Sequence, residues 1–323
     1  MYANQGLKHV EASWLAEGMQ LLKLIQLYFY VCEIYEAKLV HQVERFTKNR
    51  VLPQFTDAEA ITAYLFAVAY EKRTQIKDVY NLIKRHYRSW FPDLPSYQAF
   101  NQRINRLNPA FPLIIADLVP RWQALALQSQ DLEFVLTDSM PIFTCSSKRQ
   151  GKVAREVTDK GYNSTKGMHF WGGKLHPLSI AHKGGTMPAV EYILISAASE
   201  HDLNAQRQIL RNNSNRLSFA DKAFNDSDLA ADFRKNGGRL FIPVKYRKGQ
   251  SSQYRRWHKA ADDLYSKAVS AVRQPIESFF NWLIDKTDLQ RASKVRSTKG
   301  LLVHIFGRIA AATYLQIDQL NLI

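Results

Sequence analysis

Cysteine is nearly absent. Cys32 and Cys145 are the two in 323 residues, far apart and in unlike surroundings. That excludes a disulfide-stapled secreted scaffold and any cysteine-based zinc spacing, and it fits a reducing cytosol. No secretory signal is visible in residues 1–10, which are polar and have no apolar core, so none is expected. The most apolar run, residues 21–35, is broken by Lys23, Gln26 and Glu33, so it is not expected to span a bilayer, and no membrane partner is expected. No repeat or low-complexity tract is visible. Acidic residues are in deficit, with 29 Asp and Glu against 44 Lys and Arg, for a net charge of +15. The excess is uneven: residues 1–130 carry 15 basic and 11 acidic side chains, and residues 131–323 carry 29 and 18. A surplus of this size points to a polyanionic partner such as nucleic acid.

What is present describes a globular chain, with 46% hydrophobic residues. Two domains are expected, a helical one over 1–130 and a second over 131–323. In the first, residues 19–46 put Leu22, Ile25, Phe29, Cys32, Leu39 and Val43 at three-to-four spacing, the period of a helix. Thr56 and Glu59 form a capping-box pattern that opens a helix running to about residue 70. Further helices are expected over 75–86, 97–107 and 112–128. The 97–107 helix buries Tyr97, Phe100, Ile104 and Leu107 and turns out Gln98, Asn101, Gln102, Arg103, Asn105 and Arg106. Amides can pair with adenine, and arginines with guanine or phosphate. Together with the preceding helix, this is the outline of a helix-turn-helix DNA reader.

From Leu132 the period shortens. Strands are expected over 134–137, 168–182, 189–196, 217–220 and 239–244, with a short extension at 141–144 and helices over 203–212, 226–236, 261–284 and 299–320. Residues 146–162, with Lys148 and Arg149, read as a basic loop that orders on a partner. Residues 245–259, with Arg247, Arg255, Arg256 and Trp257, read as a second basic loop suited to gripping phosphates. Pro275 is expected to kink or restart its helix. His169, His176 and Trp282 read as structural. Three antiparallel strands followed by helix-linked parallel ones give an α/β fold: a mixed five-stranded sheet flanked by helices, in the order of the RNase H-like fold, preceded by an all-α domain.

Three acids stand out within that order. Asp138 ends the strand Phe134-Val135-Leu136-Thr137, Asp221 ends Leu217-Ser218-Phe219-Ala220, and Glu277 sits on the late helix. The first and fourth strands pair centrally in such a sheet, which would make the two aspartates neighbours. Oxygen-only clusters suit hard divalent cations. Two such ions about 4 Å apart lower the pKa of an attacking water or hydroxyl and stabilise the leaving oxygen of a phosphodiester. In this reading Asp138 bridges two Mg²⁺ ions, with Mn²⁺ as substitute, while Asp221 ligates one and Glu277 the other. Taken singly, each acid also fits a turn former or a helix ion pair.

Six motifs in order carry a resemblance to a known family. They are Leu136-Thr137-Asp138-Ser139-Met140-Pro141; Lys160-Gly161-Tyr162 with Gly172-Gly173-Lys174-Leu175-His176; Ser199-Glu200-His201-Asp202; Phe219-Ala220-Asp221-Lys222-Ala223-Phe224; Arg273-Gln274-Pro275-Ile276-Glu277-Ser278-Phe279-Phe280-Asn281-Trp282-Leu283; and Arg291 with Lys294-Val295-Arg296. The chain resembles the DDE transposases of bacterial insertion sequences, within the retroviral-integrase and RNase H-like superfamily. The resemblance implies metal-dependent strand cleavage and strand transfer, with Asp138, Asp221 and Glu277 as the triad and with His201, Asp202 and Arg273 near it. It also implies transposon-end and target DNA as partners, a homodimer on DNA, and a nucleoid-associated protein of the bacterial cytoplasm. Ser270 and Ile284 stand where related groups carry Tyr and Lys, and the 244–261 gap is too short for a large inserted β-domain. A hydrolysis-only nuclease and an inactive DNA-binding derivative remain as alternatives.

Overall fold

The computed structural model describes residues 3–44, 51, 53–126, 133–146, 148, 150–163, 166–182, 187–246, 249 and 251–321. By internal contacts the chain divides into two units, residues 1–118 with 302–315, and residues 119–301 with 316–323. The expected boundary at 130/131 lies outside the described residues.

The first unit is helical. Helix α1 (Ala3–Ile34) continues through a π-helical turn, Tyr35–Leu39, into α2 (Val40–Val43). Helix α3 (Asp57–Ala69) is its centre, for every residue but Glu59 is buried. The capping box forms as the sequence suggests: Glu59 N–H donates to Thr56 Oγ1 at 3.1 Å, and Thr56 N–H to Glu59 Oε2 at 2.6 Å. Helices α4 (Ile76–His86), α5 (Tyr97–Arg106) and α6 (Ala110–Ala126) follow. The closing helix expected over 299–320 is present, with a π-helical turn inside it. Helix α10 (Thr298–Leu302) passes through a π-helical turn, Val303–Gly307, into α11 (Arg308–Asn321). Its residues 302–315 belong to the first unit and not to the second. Tyr64 Oη donates to the Val303 carbonyl at 3.3 Å, and Arg308 Nη2 to the Thr74 carbonyl at 2.8 Å. A Cβ on Gly307 would lie 2.7 Å from the Tyr64 ring, so the backbone approaches that ring where only glycine fits. Residues Thr298–Leu320 are long and apolar enough to cross a membrane, yet 83% of the most apolar window is buried inside the protein, as in a core helix.

The second unit is a mixed sheet. Among the described residues it has seven strands: β1 (Glu133–Thr137), β2 (Met140–Ser146), β3 (Asp159–Asn163), β4 (Met168–His182), β5 (Ala189–Ala197), β6 (Leu217–Phe219) and β7 (Arg239–Phe241). Five of them run in the order β5-β4-β1-β6-β7, antiparallel as far as β1 and parallel beyond it. This is the RNase H-like arrangement, with helices α7 (Asp202–Asn212), α8 (Ser227–Lys235) and α9 (Ser252–Thr287) flanking the sheet. The other two strands exist because β4 is 15 residues long. Its C-terminal part pairs with β1, and its N-terminal part pairs with β2 and β3. The 146–162 segment is therefore not wholly a loop, since it ends in β3. Gly172 permits the close β2–β4 approach: a Cβ there would fall 1.8 Å from the Ile142 carbonyl oxygen.

Helix α9 corrects two expectations. It begins at Ser252, capped by the Ser251 hydroxyl, so residues 252–259 are its exposed first turns and not a loop. It also does not restart at Pro275 but continues through it as one helix. Val269, Arg273, Ile276 and Phe279, buried on either side of the proline, anchor both segments and offset the missing N–H.

Candidate active site

The register of β1 on β6 builds the site. Val135 pairs with Ser218 and Leu136 with Phe219, a constant offset of 83 positions. The same offset sets Asp138 against Asp221 just beyond the paired strands, where the chain leaves the sheet. Helix α9 packs across both strands and brings Arg273 to them. Arg273 Nη2 donates to Asp138 Oδ2 at 2.8 Å, and Nη1 lies 3.8 Å from Asp221 Oδ1. The guanidinium pairs with the two aspartates and not with Glu277, one turn further along the helix. Glu277 is exposed.

Asp138 is the electrostatic focus. Its Oδ1 accepts the Ser139 N–H at 2.8 Å. Burial pushes its carboxyl up to about 6, and Asp221 and Glu277 add repulsion, while Arg273 and the Ser139 N–H pull the other way. Asp221 is about half exposed and caps the turn Lys222–Phe224 by accepting the Lys222 N–H at 2.6 Å. Asp221 and Glu277 are therefore each within electrostatic reach of Asp138. Among the described residues, however, no group of three or more His, Cys, Asp or Glu side chains is gathered closely enough to hold a metal ion. The donors are carboxylate oxygens, one group enclosed, of the type a hard divalent cation takes, while the gap between the two aspartates is held by the Arg273 guanidinium.

Around Asp138 lies a layer that the sequence reading missed in part. Asp202 accepts from the Ser139 hydroxyl at 2.9 Å and pairs with Lys174 Nζ at 2.9 Å. His201 caps α7, its Nδ1 accepting the Leu203 N–H at 3.3 Å. Gln206 was not foreseen. Its Nε2 donates to the Asp138 carbonyl at 3.4 Å and to His176 Nδ1 at 3.1 Å, and its Oε1 accepts the Thr137 hydroxyl. With Nδ1 accepting, His176 donates from Nε2 to Ser196 Oγ at 2.8 Å. Burial lowers His176 to about 4, so the ring is neutral near pH 7. The available signal was Gln206 itself, a polar residue in the apolar row Leu203, Gln206, Leu210 of α7.

The expected DNA contacts separate into groups. Arg106 Nη2 holds both Asp57 oxygens at 2.7 Å, and its Nη1 donates to the Val43 carbonyl. Arg103 Nε lies 3.6 Å from the same carboxylate, and its guanidinium sits over the Phe55 ring. Both arginines are therefore turned into the helical unit, away from the polar face expected of them. Gln98 and Gln102 are exposed and Asn101 is half-buried. Lys148, Arg255, Arg256, Lys294 and Arg296 are exposed, Arg296 donating to the Ser293 and Val295 carbonyls. Arg149 and Arg247 lie outside the described residues. His169 is exposed, its ring against that of exposed Tyr162, and half-buried Trp282 stacks on Phe279.

The sheet is RNase H-like, with Asp138 and Asp221 just beyond the ends of two of its adjacent central strands. The chain belongs to the family described as Transposase DDE domain, which matches residues 129–314. No curated protein and no solved structure matches it.

Two outcomes follow. Asp57 is buried, so Arg106→Ala is expected to cost about 2–3 kcal/mol in urea unfolding while leaving the DNA affinity of the folded protein unchanged. Unchanged stability with lost DNA affinity would put Arg106 on DNA. Asp138, raised above its ordinary 3.8, contributes stability that is complete below that value and lost as pH rises through about 6. In metal-free buffer the stability of Asp138→Asn relative to wild type is thus expected to rise by about 2–3 kcal/mol from pH 4 to pH 8, on top of a pH-independent cost of leaving Arg273 without its partner. A gap independent of pH contradicts the shift.

Proposed function

We propose that the protein is a DNA transposase that cleaves and joins strands at insertion-sequence ends, with Asp138, Asp221 and Glu277 holding two Mg²⁺ ions that Mn²⁺ can replace. The single observation that carries this reading is the enclosed Asp138 beside Asp221, both on Arg273, with Glu277 adding to the repulsion that raises Asp138. Members of this family typically use divalent metals. When bound, such ions supply activation of the attacking oxygen and stabilisation of the leaving one. The chain's own part is to hold the acids. The Ser139 N–H fixes one Asp138 oxygen, Gln206 fixes its backbone, and Asp202 with Lys174 fixes Ser139. The neutral His176 supports Gln206 without adding a charge beneath the acids.

In this reading the helical unit binds transposon-end DNA through Gln98, Asn101 and Gln102. Arg255 and Arg256, at the exposed start of α9, meet phosphates together with Lys148, Lys294 and Arg296. Joining two ends requires two copies, so the working form is a homodimer on DNA, and its place is the bacterial cytoplasm at the nucleoid. A hydrolysis-only nuclease differs by giving no joined products, and a passive DNA binder by showing no dependence on a divalent metal.

The test uses a labelled element end, Mg²⁺ and target DNA. Glu277→Gln is expected to bind the end as wild type does and to reduce both cleavage and joining to background. Mg²⁺-dependent cutting that persists in that variant removes Glu277 from the mechanism. Cleavage without joined product in the wild type selects the nuclease reading.

A further inference from the structure

Arg273 is a buried arginine whose hydrogen bond goes to an acid. Its side chain is 7% exposed, and its Nε, like that of Arg106, is a buried donor with no hydrogen-bond partner. Its charged contacts are the two aspartates, one at hydrogen-bond distance and one at 3.8 Å. An arginine kept for packing alone would be expected to satisfy its donors with carbonyls. This one is instead held by the charge of the acids. The balance remains unequal, because Asp138, Asp221 and Glu277 bring three negative charges against one guanidinium. The missing fourth group of the site is thus a positive charge, and the place between Asp138 and Asp221 is already taken.

We infer that Arg273 is a placeholder cation, holding the gap between Asp138 and Asp221 in the metal-free protein and surrendering Asp138 Oδ2 when a divalent ion enters. The inference rests on the reading of the three acids as metal ligands. It explains why Asp221 and Glu277 each reach Asp138 electrostatically without the three being gathered around a common point. Arg273 and Glu277 are four residues apart on α9, so the group that yields and the ligand that takes its place lie on adjacent turns. Pro275 lies between them, and its missing N–H leaves the helix one hydrogen bond short at that position. Metal binding in this scheme carries the cost of parting a buried charge-assisted pair. Removing the guanidinium removes that cost and leaves Asp138 in need of a cation.

The experiment measures Mn²⁺ alone binding to the full chain, without DNA, by titration calorimetry and by electron paramagnetic resonance of the free ion. Arg273→Gln is expected to lower the Mn²⁺ Kd roughly tenfold or more relative to wild type. Arg273→Met, which fills a similar volume without polar atoms, is expected to do the same and guards against a folding defect peculiar to glutamine. Both variants should melt below wild type in chelator and gain more Tm from Mn²⁺ than wild type does. Asp221→Asn added to either background should weaken binding. Equal or weaker Mn²⁺ affinity in both Arg273 variants, with Asp221→Asn still weakening it, overturns the placeholder and leaves the ligand assignment standing. Affinity indifferent to Asp221→Asn in every background overturns the ligand assignment, and the placeholder with it.

Discussion

Two carboxylates set side by side at the edge of a low-dielectric interior repel each other, and every other feature of the site answers to that constraint. Parallel pairing of β1 with β6 creates the juxtaposition, because the register that matches Leu136 to Phe219 carries on to Asp138 and Asp221. Burial of Asp138 makes it costlier, since an ionised carboxylate loses water it cannot easily replace. The Ser139 N–H and the Arg273 guanidinium return part of that cost. Beneath the acids, the chain from Gln206 through His176 to Ser196 is uncharged and hydrogen-bonded, so it fixes the end of β1 without changing the charge balance above it.

The long strand β4 and the helix α9 are the rigid parts that maintain this arrangement. Strand β4 pairs with four others along its length, which ties the end of β1 to a broad sheet. Helix α9 is anchored on its buried face and exposed over its first turns, where Arg255, Arg256 and Trp257 lie in solvent. One helix thus carries Arg273 and Glu277 at one end and a basic, aromatic surface at the other. The helical unit uses its own arginines differently. Asp57 takes the charges of Arg103 and Arg106 and ties α5 to the start of α3.

The sequence made the sheet order, the capping box and the two strand-ending aspartates legible, because each rests on a local pattern: a run of apolar residues, a cap at three-residue spacing, an acid where the run stops. What it hid depends on partners far along the chain. Arg106 meets Asp57 across 49 positions, and nothing local distinguishes that carboxylate from a phosphate. Residues 252–259 looked like a loop because they bury no face, although Ser251 supplied a helix cap. Strand β4 was legible at its full length and the 141–144 extension lies within β2, whereas β3 was read as part of a loop because its short, polar run pairs only with the far end of β4. Pro275 is held in a helix by the packing of Val269, Ile276 and Phe279, so tertiary context overrides a local rule. Gln206 was visible as a polar residue in an apolar row, but its partners were not.

The most direct test of the central claim is anomalous diffraction from crystals of the protein with Mn²⁺ and an element-end duplex. The account predicts manganese peaks coordinated by Asp138, with Asp221 on one ion and Glu277 on the other. Manganese bound elsewhere, with these three carboxylates uncoordinated in the DNA complex, would contradict it.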